Sequence, residues 1–194
     1  HPLAAGALGF NGSKVAMQLL AEADVVLMLG SRINDFGYAP QYGLRYYPHE
    51  ARIIQVDIDA QQIGRTKPID VSVVGDAALT AKAILEHLQS VRAEPHDRGM
   101  VENVSRLYSG WREEQAELCR ATSSYINPYA AAKTVCELIP SDAIVTADIG
   151  FSAAVPNSFL KFNQPRKFIA PGNFANVGFA FPAALGAKIG RAHV

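Results

Sequence analysis

Cysteine is almost missing from this chain: its 194 residues contain two, Cys119 and Cys136. Both fall on predicted helices without metal-ligand spacing, which argues for buried, reduced thiols rather than a disulfide framework or a thiolate metal site. Neither sign of charge prevails, because 18 basic residues face 18 acidic ones. A neutral balance leaves no electrostatic footprint for a nucleic-acid backbone or an anionic membrane surface. Long hydrophobic runs are lacking too: the longest, Val25 to Leu29, is far too short to cross a bilayer. No secretory leader is visible, which points to the cytoplasm. The five histidines form no cluster and suggest no acid, base or metal ligand. Internal repeats and low-complexity tracts are absent as well. What remains is a chain that is 49% hydrophobic and 19% charged, the composition of a globular protein with a real core.

Both ends look cut. The chain opens on His1, and "HPLAAGALGF" has the composition of a loop interior. Its last six residues, Ile189 to Val194, spell IGRAHV, the translation of a string resembling a sequencing-library adapter. Native sequence is therefore expected to end near Lys188.

The first half alternates strand and helix signals. "GSKVAMQLLAEA" sets Val15, Met17, Leu19 and Leu20 on one broad helical face, with Ser13 placed to cap its first turn. "DVVLMLGS" (24–31) is a continuous apolar run closed by glycine, the pattern of a strand buried on both faces. "ARIIQVDID" (51–59) and "DVSVVGD" (70–76) predict two more strands, and Asp76 precedes a long amphipathic helix. Strands separated by helices predict an α/β fold, parallel sheets with helices on both faces. The intervening loop, 33–50, holds Pro40, Pro48 and four tyrosines, and long ordered loops of this kind often carry function.

"RAEPHDRG" (92–99) loses the apolar pattern and is expected to be a linker. One docked helix should follow, because Val101, Val104, Leu107, Tyr108, Trp111 and Leu118 recur at helical spacing. A second unit then starts at Asn127, a cap, with Pro128 at the first helical position, where its missing N–H costs nothing. "DAIVTADIG" and "PRKFIAP" predict strands, "SAAVPNSFLKF" a broken helix, and "GFAFPAALGAK" a helix start.

Two strand-end turns in this second unit are candidates for a ligand site. Ligands of open parallel sheets bind beyond the carboxyl ends of the strands. At "ADIGFSAA", Gly150 permits close approach, and the helix amides with the Ser152 hydroxyl can meet an anion such as phosphate. At "APGNFANVGFAFP", Ala175 and Gly178 leave the backbone accessible around Val177. Either turn alone is weak, since glycine-rich strand–helix turns are common. From spacing alone, Val177 is the first core residue of a helix.

"FANVGFAFPAALGAK" resembles the segment of thiamine-diphosphate-dependent enzymes that holds the aminopyrimidine ring. "RIIQVDIDAQQIGRTKPIDVSVVGDA" resembles the end of the central domain in their acetolactate-synthase-like branch. Within that branch, "HPLAAGALGFNGSKVAM", "PQYGLRYYP" and "NSFLKFNQPRKF" look most like the sulfoacetaldehyde acetyltransferases; acetolactate synthases, or related decarboxylating carboligases, are the alternative. The resemblance implies a partial Rossmann-like central domain over 1–91, a linker with a helix over 92–126, and the start of a diphosphate-binding α/β domain over 127–188.

It further implies thiamine diphosphate and Mg2+ as cofactors, the metal ligands lying downstream of Lys188 and the catalytic glutamate upstream of His1. Gly150, Phe151 and Ser152 are then expected beside the diphosphate. Phe174, Ala175, Asn176 and Val177 are expected at the paired rings, with the Ala175 carbonyl accepting from the amino group and Val177 as an apolar wedge. Relatives carry glycine at the Ala175 position and a larger apolar residue at Val177. The implied reaction converts sulfoacetaldehyde and phosphate to acetyl phosphate and sulfite in a homodimer or homotetramer, with the 194-residue piece alone inactive. A module that has lost its metal motif and serves only assembly is the non-catalytic rival. Asp57 and Asp59 lack the glycine fingerprint of a dinucleotide site and are expected to be turn and cap residues. Arg32, Arg45, Lys161 and Arg166 could meet a sulfonate or phosphate, though most should be solvated surface charges.

Overall fold

The computed structural model describes residues 1–9, 12–32, 38–91, 99–122, 124–150, 158–160, 162 and 164–191. Two compact units divide the chain, His1–Tyr108 and Ser109–Val194. Each is α/β with parallel strands, as the alternation of signals predicts.

In the first unit, helix α1 (Lys14–Ala21) begins where expected, with the Ala16 amide donating to Ser13 Oγ at 3.3 Å. Val15 and Met17 are fully buried. Strands β1 (Val25–Leu29), β2 (Arg52–Asp57) and β3 (Val71–Val74) form a parallel sheet in that order. Leu27 stands opposite Ile54, and Val56 opposite Val73. Helix α2 (Ala77–Ser90) starts at Asp76, whose Oδ1 accepts from the Ala78 and Leu79 amides at 2.9 Å each. It packs against β1 and β2. Gly30 leaves β1 with φ 63, and a Cβ there would stand 3.4 Å from that of Ala77, so a small residue lets the helix start approach.

The structure corrects one expectation about β1. Its apolar run does not mark a strand buried on both faces: Val25, Leu27 and Leu29 are exposed and only Met28 is buried. The face that carries these three side chains is left largely uncovered by the described residues, among which β1 is the outermost strand of the three-stranded sheet. On the opposite face Met28 and Ile53 form a core with Val26, Tyr38, Tyr47 and Ile69. The tyrosine-rich loop is thus anchored by burial. Tyr46 is fully buried, Tyr38 meets Tyr47 edge-on at 5.1 Å, and the Lys67 ammonium lies 4.9 Å from the Tyr47 ring centre. Burial, then the neighbouring Tyr47 and Tyr46, push the Tyr38 hydroxyl up to about 12.

Helix α3 (Met100–Arg120) covers the predicted periodic stretch. In the second unit, one side chain both opens and closes a helix. Asn127 Oδ1 accepts from the Tyr129 and Ala130 amides, at 2.9 and 3.2 Å, at the start of α4 (Pro128–Leu138). Its Nδ2 donates to the Leu118 and Ala121 carbonyls at 2.8 Å, where α3 ends. Orphan groups of two helix termini are satisfied together. The thiols Cys119 and Cys136 are half-buried rather than buried, since α3 and α4 keep much of their surface in solvent. Burial, then Glu137, raises the Cys136 thiol.

Strands β4 (Val145–Thr146) and β5 (Phe168–Ile169) pair in parallel, Val145 opposite Phe168. They are shorter than the predicted strands, each having one pairing partner among the described residues. Helix α5 (Ala180–Arg191) packs on β4.

Candidate functional site

The candidate site is built at the carboxyl ends of β4 and β5, the end of a parallel sheet where ligands gather. After β5, residues Gly172–Phe174 make one 3-10 turn, and Ala175 ends it in the left-handed region at φ 52, ψ 38. Gly178 follows at φ 87, and α5 starts two residues later. After β4 the chain passes Asp148 and reaches Gly150 at φ 105. Among the described residues, a Cβ added at Gly150 or Gly178 would meet nothing within 4 Å.

Asp148 joins the two turns. Its Oδ1 accepts from the Ile149 amide at 2.9 Å and from Gly178 at 3.1 Å, and its Oδ2 accepts from Gly178 at 2.9 Å and Ala180 at 3.5 Å. The Ile149 amide first, with smaller contributions from the Ala180, Gly178 and Phe179 amides, holds its carboxyl below the usual carboxylate range, although burial, the second influence in size, opposes them. A depressed folded value means that this contribution is complete above the ordinary carboxyl range and fades only as pH falls through the depressed value. Sequence reasoning passed over Asp148 as a strand-end residue. One signal could have found it: Gly178 and Phe179, which precede α5, carry no side-chain oxygen to cap the helix.

Of the expected site residues, Gly150, Phe174, Ala175, Asn176 and Val177 are brought to this end of the sheet. Phe151 and Ser152 lie outside the described residues, as does Lys161. Val177 is 85% exposed and Phe174 87%. Val177 is therefore not a core residue of the described unit. Arg32, Arg45 and Arg166 are exposed. Asp59 caps a short 3-10 turn by accepting from the Gln61 amide at 3.0 Å, and Asp57 accepts from the Asp59 amide at 2.9 Å. Both are turn and cap residues, as expected.

The left-handed Ala175 is strained, because a Cβ in that region costs roughly 1–2 kcal/mol, against about 0.5–1 kcal/mol for the freedom of a glycine. Ala175→Gly is thus expected to stabilise the protein by about 0.5–1 kcal/mol in urea unfolding. The backbone carbonyl is retained, so binding at the turn should be unaffected.

Residues 1–84 match the family described as thiamine pyrophosphate enzyme, central domain, and residues 148–194 the thiamine pyrophosphate enzyme C-terminal TPP binding domain. Among curated proteins, the chain is 38% identical over 98% of its length to a sulfoacetaldehyde acetyltransferase of Roseovarius nubinhibens. It is 39% identical over 97% to one of Rhodobacter capsulatus. An acetolactate synthase isozyme 3 large subunit of Escherichia coli K12 is 32% identical over 97%. The chain spans about a third of the length of these relatives.

Proposed function

Since the chain belongs to the thiamine pyrophosphate enzymes, we propose that it is part of a thiamine-diphosphate-dependent acyltransferase that converts sulfoacetaldehyde and phosphate to acetyl phosphate and sulfite. The observation that carries the cofactor half of this proposal is Val177, a valine held 85% exposed between two open glycine turns at the carboxyl ends of parallel strands. An exposed apolar side chain there gains nothing from the unit's own core and is suited to a ring system laid across it. The residues present fit the cofactor: room at Gly150 among the described residues for a diphosphate, a left-handed Ala175 whose backbone carbonyl would serve an amino group, and an exposed apolar side chain at Val177.

Bound there, thiamine diphosphate supplies the nucleophilic carbon and electron sink needed to break a bond beside a carbonyl. The chain's own residues orient it. Ala175 would accept a hydrogen bond through its backbone, Phe174, Asn176 and Val177 would shape the ring site, and Gly150, with Phe151 and Ser152 by the family resemblance, would flank the diphosphate. Mg2+ is proposed as the counter-ion of the diphosphate, on ligands in the rest of the full-length protein. Among the described residues no group of three or more His, Cys, Asp or Glu could hold a metal ion. Nor is any described helix long and apolar enough to cross a membrane. The enzyme is proposed to be cytoplasmic and a homodimer or homotetramer. Its division into a central domain over 1–91, a linker over 92–126 and a diphosphate-binding domain from 127 belongs to the same proposal.

The substrate assignment draws on the names of the relatives, 38% and 39% identical for the two acetyltransferases against 32% for the acetolactate synthase. The full-length protein, supplied with thiamine diphosphate, Mg2+ and phosphate, should release sulfite from sulfoacetaldehyde. Formation of acetolactate from pyruvate without sulfite release would transfer the protein to the synthases.

A further inference from the structure

The turn from Phe174 to Gly178 has almost nothing to hold it in place by burial. Phe174 and Val177 are 87% and 85% exposed, and Gly178 stands at φ 87, where an added Cβ would meet nothing within 4 Å among the described residues. Glycine at such a position widens the conformations open to the unfolded turn. Helix α5 does not fix the turn from its own side either. Phe179 has no capping oxygen, the first turn of α5 has no acidic residue, and Pro182 merely presets the backbone. The amides that open α5 need an acceptor from elsewhere. Asp148 is that acceptor: its two oxygens take the Gly178 amide at 2.9 and 3.1 Å and reach the Ala180 amide at 3.5 Å. The same carboxylate takes the Ile149 amide at 2.9 Å, one residue before Gly150.

We propose that Asp148 is a positioning residue that clamps the Ala175–Gly178 turn to the carboxyl end of β4, setting the ring-binding and diphosphate-binding turns at a fixed spacing. This role rests on the cofactor site proposed above. A carboxylate suits the task because an ionised acceptor binds several amides at once and draws on the positive end of the helix.

The test uses the full-length protein with Asp148→Ala, Asp148→Asn and Asp148→Glu. Three quantities are measured: the dissociation constant for thiamine diphosphate, amide hydrogen exchange across 174–181 without cofactor, and the unfolding midpoint. Asp148→Ala should weaken cofactor binding roughly tenfold, and speed exchange at Gly178 and Ala180 by a similar factor. The midpoint should fall slightly, as for one lost helix cap, and too little to unfold the protein under the binding assay, so the weaker affinity of the folded variant is not a consequence of unfolding. Asp148→Asn keeps an acceptor oxygen and should restore much of the affinity; Asp148→Glu keeps the charge but displaces it and should not. Should Asp148→Ala fail to fold, the asparagine and glutamate variants carry the comparison. Unchanged affinity and unchanged exchange in every folded variant would overturn the clamp. Failure of the wild type to bind thiamine diphosphate would instead overturn the cofactor site, and the exchange rates alone would then decide whether Asp148 holds the turn.

Discussion

Replacing Val177 by alanine in the full-length protein is expected to lower turnover about a hundredfold while leaving the unfolding midpoint almost unchanged. The two halves of that expectation have separate causes. Stability is spared because Val177 is 85% exposed, so removing its methyl groups leaves no cavity in the unit that carries it. Turnover suffers because the proposed task of this side chain is to support the cofactor's ring system, and misplacement by about 1 Å can cost two orders of magnitude. Val177→Asp should act more severely, setting a charge against an apolar ring face and abolishing measurable cofactor binding. The alternative, a helix-start core residue, predicts the reverse pattern: alanine would cost stability first, and activity only as the protein unfolds. A stability loss above about 1 kcal/mol for Val177→Ala, with turnover per folded molecule preserved, would therefore remove Val177 from the site.

Devices that act within a few residues were the legible ones. Ser13, Asp76 and Asn127 are caps whose acceptor oxygen meets amides two or three positions ahead, so the sequence window contains both partners. The same holds for Asp59 and its short turn. What depends on distant partners was not legible. Whether β1 is buried on both faces is decided by what packs on it, and "VVLML" looks the same at a sheet edge as in its centre. The partner amides of Asp148 at Gly178 and Ala180 lie 30 and 32 residues along the chain. No periodicity joins them. The candidate turns were legible chiefly through their family resemblance, since glycine and alanine spacing alone cannot separate an open ligand turn from an ordinary one.

Gln55 is another residue whose partners the sequence conceals, and it carries the largest expected stability effect. In "RIIQVD" it is the one uncharged polar residue of an apolar strand, and it is 1% exposed in the middle of the sheet. Burial is tolerated because the amide is satisfied on both sides. Nε2 donates to the Ser31 carbonyl at 3.3 Å and the Gln62 carbonyl at 3.2 Å, while Oε1 accepts from the Gly64 amide at 2.9 Å. One side chain thus ties the loop after β1 to the loop after β2. Gln55→Ala leaves a cavity and three backbone groups without their partner, each worth about 1–3 kcal/mol if water cannot reach it. Part of each loop is accessible, so a total loss of about 3 kcal/mol in urea unfolding is expected. Gln55→Glu separates the contributions. A carboxylate would still accept from Gly64 but would face two carbonyl oxygens, which favours its protonated form and raises its folded pKa above the unfolded value of about 4.3. The variant should therefore be most stable below that unfolded value and lose stability as pH rises through the folded one. Wild type lacks this titration at Gln55, so the difference between the two stability curves must widen with rising pH. Parallel curves would mean that water, not Gln55, satisfies Ser31 and Gln62.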